Sequence, residues 1–275
     1  MNILPWYNNL GDNELNSIIC ARNTQLFNLR GSKISIIGAG AIGSFTASSL
    51  TRSGIGRLSI FDDDIVVPEN IGVQDYTISQ VDQNKSLAIK RTCMDINPTT
   101  RIDAFTMKVE YEHTYQNGEK VLANDIVRRF NNSDIIVLAV DSMKARLEIM
   151  DIITTYCKTH LRSKSGLKAI IDARMGSETL QLYVFHKKIW NEKQKQAINP
   201  SDVVTEMYQK TWYSDEDGNS EPCAARSTAY CSTIAGSIIT SEIKKIIKDD
   251  PVKTTEIVFN FPTLLFDAKI EVPGV

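Results

Sequence analysis

Gly38, Gly40 and Gly43 stand at Gly-x-Gly-x-x-Gly spacing between an apolar strand-like run from Lys33 and a helix-forming stretch, Phe45 to Arg52. Glycines so placed let a backbone approach a phosphate closely and let the following helix pack tightly on its strand. The helix N-terminus adds free N–H groups and a dipole that favours an anion. A second apolar run, Arg57 to Phe61, ends in three acids, Asp62, Asp63 and Asp64. Together these form the first βαβ unit of a nucleotide-binding fold. The glycine turn by itself fits NAD as well as ATP.

Further residues with chemical potential follow. Pro68 and Gly72 mark a loop carrying Asn70 and Gln74, just past the carboxyl end of the second strand, where open α/β sheets bind ligands. Lys85 enters from the first turn of a helix read from Asp82 to Ile96. Asp141 ends a continuously apolar run, Asp134 to Val140, that suits a buried parallel strand. Asp141 has two readings, a cap for the next helix and a metal ligand; Ser142 is a second candidate cap.

Arg174 follows another apolar run and has two readings: an ion pair with Asp172 or another acid, or a contact with phosphate or a substrate tail. Cys223 has two readings as well. As a small residue it packs; as a thiolate, favoured by a helix N-terminus and by Arg226, it accepts an acyl group. Lys85 is either an ordinary helix lysine or a phosphate contact.

The elements that must hold these residues alternate between strand and helix, which predicts a doubly wound, mainly parallel Rossmann-like α/β sheet with helices on both faces. A helix is read from Asp12 to Leu29, with Arg22 on its last turns, and another from Lys120 to Asn131. Tyr111 to Glu119 reads as a loop. Met143 to His160 and Ala224 to Lys248 read as long helices. Glu256–Phe261 and Leu264–Ile270 read as closing strands, antiparallel to the rest. Residues 1–275 read as one domain, with an N-terminal helix within 1–31. Residues 187–222 read as a mobile polar segment, with one helix expected near Ser201–Lys210.

Composition narrows the class. The formal net charge of −2 gives no basic field, so nucleic acid is not an expected partner. No apolar run approaches the ~18 residues of a membrane span. The five cysteines include no Cys-x-x-Cys pair, which removes a zinc ribbon. Their odd number, without a signal peptide, points to reduced thiols in a cytoplasm.

The ordered set Phe61-Asp-Asp-Asp64-Ile-Val, Glu69-Asn70-Ile-Gly-Val-Gln74, Asp82-Gln-Asn-Lys85 and Ile96-Asn97-Pro98, with Asp134 to Arg146, resembles the adenylation domain of the ThiF/MoeB family, which includes the ubiquitin-activating enzymes. The resemblance runs from about Arg30 to Tyr156. It implies activation of a carboxylate with ATP and Mg2+. The carboxylate is typically the C-terminus of a small ubiquitin-like β-grasp protein or peptide, and the enzyme a homodimer. Carried over by position, it puts Asp62 and Asp64 at the ribose and metal side of the nucleotide. Asn70, Gln74 and Lys85 then contact phosphates, and Asp141 holds the metal. Thioester transfer to Cys223 would be a second step.

Two departures stand out. Val73 occupies the place of the family's loop arginine, a loss worth roughly 2 to 4 kcal/mol of transition-state stabilisation unless another cation serves. Arg22, Arg52 and Arg174 are candidates. The paired-cysteine zinc motif is also absent, so the closing strands must be held by packing. Two other classes remain: an NAD-dependent oxidoreductase and a non-catalytic scaffold subunit of an activating-enzyme pair.

Overall fold

The computed structural model describes residues 7–114, 120–122, 126, 128–130, 133–160, 167–176, 178–186, 208–209, 211, 227–250 and 255–269. Strand β1 (Lys33–Ile37) is buried along nearly its whole length, as a central parallel strand requires. It runs through Gly38–Gly40 into α2 (Ala41–Arg52), then β2 (Arg57–Phe61), α3 (Lys85–Ile96) and β3 (Arg101–Phe105). A hairpin, β4 (Glu112–Thr114) and β5 (Lys120–Leu122), precedes β6 (Ile135–Leu138) and α4 (Met143–His160). Next come β7 (Ala169–Gly176), β8 (Thr179–His186), α5 (Ala229–Ile247), β9 (Glu256–Asn260) and β10 (Leu265–Lys269). Ahead of β1 lies α1 (Asp12–Ile19).

Eight strands form one sheet in the order β10-β9-β8-β7-β6-β1-β2-β3. Strands β7, β6, β1, β2 and β3 are mutually parallel. From β7 outward, β8, β9 and β10 pair antiparallel. This is the expected doubly wound sheet with antiparallel closing strands. The chain moves from β1 toward β3 on one side and returns to β6 on the other. The crevice between the carboxyl ends of β1 and β6 is therefore the topological switch point.

Local chemistry sets the helix ends, and several differ from the sequence reading. Helix α3 begins at Lys85 rather than Asp82. Asp82 sits at φ 67°, outside the right-handed helical region, and the Asn84 side chain caps the amides of Ser86 and Leu87. Helix α1 stops at Ile19 and does not run on to Leu29. There the Asn16 side chain accepts hydrogen bonds from Asn97 and Thr99, and Asn23 bonds the Arg52 carbonyl, so the chain turns to dock on its neighbours.

Lys120–Leu122 is a strand, not the start of a helix. It pairs in register with Glu112–Thr114, inside what read as a loop, and this cross-strand pairing overrides local propensity. Ile126, Arg128 and Arg129, farther along, are helical. Helix α5 starts at Ala229, capped by Thr228, rather than at Ala224. It lies so close to α2 that a Cβ on Gly236 would meet the Phe45 backbone at 2.8 Å.

Candidate nucleotide-binding site

A cavity of about 430 Å³ opens at the switch point, beyond the carboxyl ends of β1, β2 and β6. Gly38, Gly40, Asp62, Asp64, Gln74, Lys85 and Asp141 all line it. The glycine turn is held from several sides. Gly38 adopts φ 92°, and a Cβ there would lie 2.6 Å from the Ala139 carbonyl oxygen, just past β6. Gly43 does not line the cavity: its missing Cβ makes room for the Gly38 carbonyl, which would otherwise be 1.9 Å away. Its role here is to seat α2 on the turn.

Asp62 clamps the same turn. One carboxylate oxygen accepts the Ala39 amide at 2.6 Å and the other accepts the Asp64 amide at 2.9 Å. Tyr76 donates its hydroxyl to the Ala39 carbonyl at 2.6 Å, so both peptide groups flanking Ala39 are fixed. Burial pushes the Asp62 carboxyl up to about 6, against the opposing pull of the Ala39 amide and the Lys85 charge.

Lys85 is buried at the first position of α3, and its Nζ pairs with Asp64 at 2.9 Å. The exposed carboxylate and the buried ammonium form a charged edge to the cavity. Gln74 is buried beside the α2 N-terminus, tied there by the Asp75 amide on Ser44 Oγ, and its Oε1 has no hydrogen-bond partner. A buried amide oxygen left open costs free energy unless a ligand or water meets it. Asp141 is exposed at the rim, and its carboxylate makes no hydrogen bond or ion pair with a described residue. Ser142, not Asp141, accepts the Ala145 amide at the start of α4.

Other residues of the sequence reading lie elsewhere. Asn70 does not line the cavity; its side chain accepts the Val67 amide and closes a short 3₁₀ turn. Val73 is half-buried and also off the cavity wall. Arg22 and Arg52 are exposed and away from it. Arg174 is buried and bonded to Asp172 at 2.7 and 2.9 Å and to the Thr211 carbonyl at 2.7 Å, with its guanidinium over the Tyr183 ring. Burial opposes its charge, but Asp172 prevails and holds the guanidinium above its ordinary value. Cys223 lies outside the described residues, as does Arg226.

Several lining residues escaped the sequence reading. Arg146 borders the cavity from α4 and bonds both Asp172 and the Val140 carbonyl. Its place in the Asp134–Arg146 segment was the available signal. Lys108 lines the wall and reaches Asp63 at 3.8 Å, and Lys144 lines it too; neither carried a pattern in sequence. Ile37, Ile42, Phe61, Met107, Val109 and Ile149 supply the apolar part of the lining, suited to a flat base.

The carboxylates of Asp62, Asp63 and Asp64 bring one oxygen each within 4.8 Å of one another. Asp62 is already spent on two amides and Asp64 on Lys85. Asp63 lies 3.8 Å from Lys108, and Asp141, with no hydrogen bond or ion pair to a described residue, is a further carboxylate on the wall that could meet a hard cation.

A glycine turn opening a helix at the switch point of a parallel sheet, with an acid clamping it and an apolar wall beyond, defines a Rossmann-like nucleotide-binding protein. The chain belongs to the ThiF family, whose model matches residues 14–271. Among curated proteins it is 32% identical over 121 residues to ubiquitin-like modifier-activating enzyme 5 of Drosophila persimilis, covering 44% of this chain and 32% of that protein. It is 30% identical over 134 residues to a probable molybdopterin-synthase adenylyltransferase of Porphyra purpurea, covering 48% and 32%. The matches thus span about a third of those relatives' length. Among solved structures, PaaA superposes with a TM-score of 0.61 at 17% identity, covering 92% of this chain and 66% of PaaA. Escherichia coli MccB with ATP superposes with a TM-score of 0.59 at 15% identity, covering 94% and 67%.

Proposed function

We propose that this protein is an ATP-dependent adenylyltransferase that converts the C-terminal carboxylate of a small ubiquitin-like protein or peptide to an acyl-AMP. The observation that carries this reading is the set of Gly38, Gly40, Gln74, Lys85 and Asp141 around one cavity, with an unpartnered amide oxygen and an unpartnered carboxylate among them. Family membership supports the reaction class, and the likeness to ubiquitin-like modifier-activating enzyme 5 and to MccB solved with MccA supports both kinds of acyl partner.

In the reaction a carboxylate oxygen of the partner bonds to the α-phosphorus. The bond from that phosphorus to the bridging oxygen breaks, and pyrophosphate leaves. Anions crowd together, so the site must offer cations and oriented N–H donors in a partly dehydrated space. The α2 N-terminus offers the N–H groups and Lys85 the compact cation. Gln74 has an open amide for an added polar group. Asp62 fixes the glycine turn and borders the position where a ribose would lie.

The residues fit a hard divalent cation at one point: Asp141, which would hold Mg2+ with water completing its shell. Such an ion would offset phosphate charge. The walls also carry Asp63, Glu110 and Glu148, so they are not uniformly attractive to a polyphosphate.

The chain would act as one adenylation domain, as a homodimer, in the cytoplasm. Acyl transfer to Cys223 as a thioester would be its second step. The test is ATP–pyrophosphate exchange by the purified protein, with and without candidate β-grasp proteins and short peptides. Exchange supports the reading. Absence of both exchange and ATP binding would sink the adenylyltransferase reading and favour the scaffold alternative, a subunit that binds protein but not nucleotide, for which Val73 in place of an arginine is the specific observation.

A further inference from the structure

Asp172 lies on β7 in the middle of the sheet and is fully buried, yet it carries a charge between two arginines. Arg146 and Arg174 are 3% and 4% exposed. One oxygen of Asp172 takes the Arg146 Nη1; the other takes Arg174 at Nε and Nη2. Each arginine then spends its remaining fork on a backbone carbonyl. Arg146 Nη2 bonds Val140, the residue before Asp141 at the cavity rim. Arg174 Nη1 bonds Thr211 at 2.7 Å, and its Nη2 bonds Thr211 Oγ1 at 3.0 Å. Thr211 closes a turn back on Tyr208, whose ring lies under the Arg174 guanidinium and edge-on to Phe185.

A buried charged bridge is a costly way to stabilise a fold, because desolvating the ions offsets much of their attraction. What this one does is join two places far apart in sequence through a single carboxylate. We propose that Asp172 is a positioning residue that couples the Val140–Asp141 rim of the nucleotide cavity to the Tyr208–Thr211 turn, so that the state of one sets the state of the other. The proposal deepens the nucleotide reading of the site, but the bridge itself does not depend on that reading.

The physical reason is geometric. Guanidinium is planar and bidentate, and both arginines share one acceptor group. If Arg146 follows the Val140 carbonyl as the rim adjusts to a ligand, Asp172 must tilt, and Arg174 tilts with it. Arg174 holds the 208–211 turn through two bonds and a ring face. The coupling is reciprocal: anything that seats on that turn biases the rim. A bridge of this kind remains a claim of coupling until a change at one end is read at the other.

Two measurements decide it. The first uses no ligand. Arg146→Lys keeps the charge beside Asp172 but cannot reach Asp172 and Val140 with one planar fork. Hydrogen exchange at the Thr211 amide, which is bonded to the Tyr208 carbonyl, should speed up about fivefold, the low end of usual coupling. Arg146 hydrogen-bonds Asp172 and Val140, while its charge also reaches Tyr208. Arg146→Lys keeps that charge and removes only the shared fork, so unchanged Thr211 exchange in a folded Arg146→Lys protein overturns the proposal.

The second runs the other way. Arg174→Lys, off the cavity wall, should weaken binding of a fluorescent ATP analogue about fivefold with the thermal midpoint close to that of the parent protein. Arg57→Lys, which disturbs the Arg57–Asp103 pair on the sheet surface, serves as the control and should bind as the parent does. Parent-like affinity in Arg174→Lys overturns the coupling. If Arg146→Lys does not fold, this second measurement carries the decision. If the parent protein binds no ATP, the nucleotide reading fails and Thr211 exchange in Arg146→Lys still tests the bridge.

Discussion

The two halves of the sheet solve different problems. From β3 to β7 the strands are parallel, their carboxyl ends gather at one edge, and every approach to that edge is crowded with backbone. From β8 to β10 the strands are antiparallel and end at β10, where Leu264, Leu265 and Phe266 are exposed. The parallel half gathers glycine, acid and amide around a cavity. The antiparallel half offers a packed face to α5 and an apolar rim. Parallel pairing places successive strand ends and helix starts side by side, and that concentrates N–H donors where an anion can use them. Antiparallel pairing alternates the ends and disperses them. Strand β7 belongs to both halves, and Asp172 sits on it.

If that contrast is right, substitutions should divide by half. The largest effect is expected from Gly43→Ala. The new Cβ would overlap the Gly38 carbonyl, costing about 3 kcal/mol in a denaturant titration and abolishing nucleotide binding. Parent-like stability would mean the turn is looser than the contacts imply.

Lys85→Ala should come next, with pyrophosphate exchange down about 100-fold and only a modest change in thermal midpoint, since its partner Asp64 is exposed. Retained exchange would remove Lys85 from the proposed site.

Asp62→Asn gives a smaller, pH-dependent effect. Asp62 has a raised folded value, about 6 against 3.8, so the folded protein holds a proton there that the unfolded chain has released. Wild-type stability from this group is therefore fully present below pH of about 4 and is lost as pH rises through about 6. Thermal midpoints of wild type should fall relative to Asp62→Asn across that interval and run parallel above about pH 7. A constant difference at all pH would contradict the buried carboxyl.

At the other half, Phe266→Ser should change stability by no more than about 0.5 kcal/mol and leave ATP-analogue binding unchanged. Binding lost there would break the division of labour.

Cysteine chemistry gives a separate check. Burial raises Cys20, Cys93 and Cys231, Cys93 to about 12, so native alkylation near neutral pH should spare these three thiols. Cys223→Ser should keep pyrophosphate exchange, because adenylation precedes any acyl transfer. Loss of exchange would place that thiol in the first step.

Much of the parallel half was legible because its signals are local. The apolar runs of β1, β2 and β6, the glycine spacing and the proline-glycine loop each act within a few residues of chain. The misreadings came where a distant partner decides the outcome. Lys120–Leu122 has helical neighbours in sequence but a strand in space. Asn70 looked like a phosphate ligand because its type and place fit, while its amide oxygen closes its own turn. Arg174 had both readings open, and the geometry places it on Asp172 and Thr211, away from the cavity.

The sequence by itself determined the nucleotide-type βαβ unit, since spacing of glycine, acid and apolar residues suffices to set strand, turn and helix. Tertiary structure alone decided which charges meet. Asp62 faces Ala39 and Lys85 faces Asp64, while Asp172 stands between two arginines. Ion pairs and buried amides are fixed by distances between elements that no local pattern encodes, and a charge that pays its desolvation cost does so only with the partner the fold brings to it.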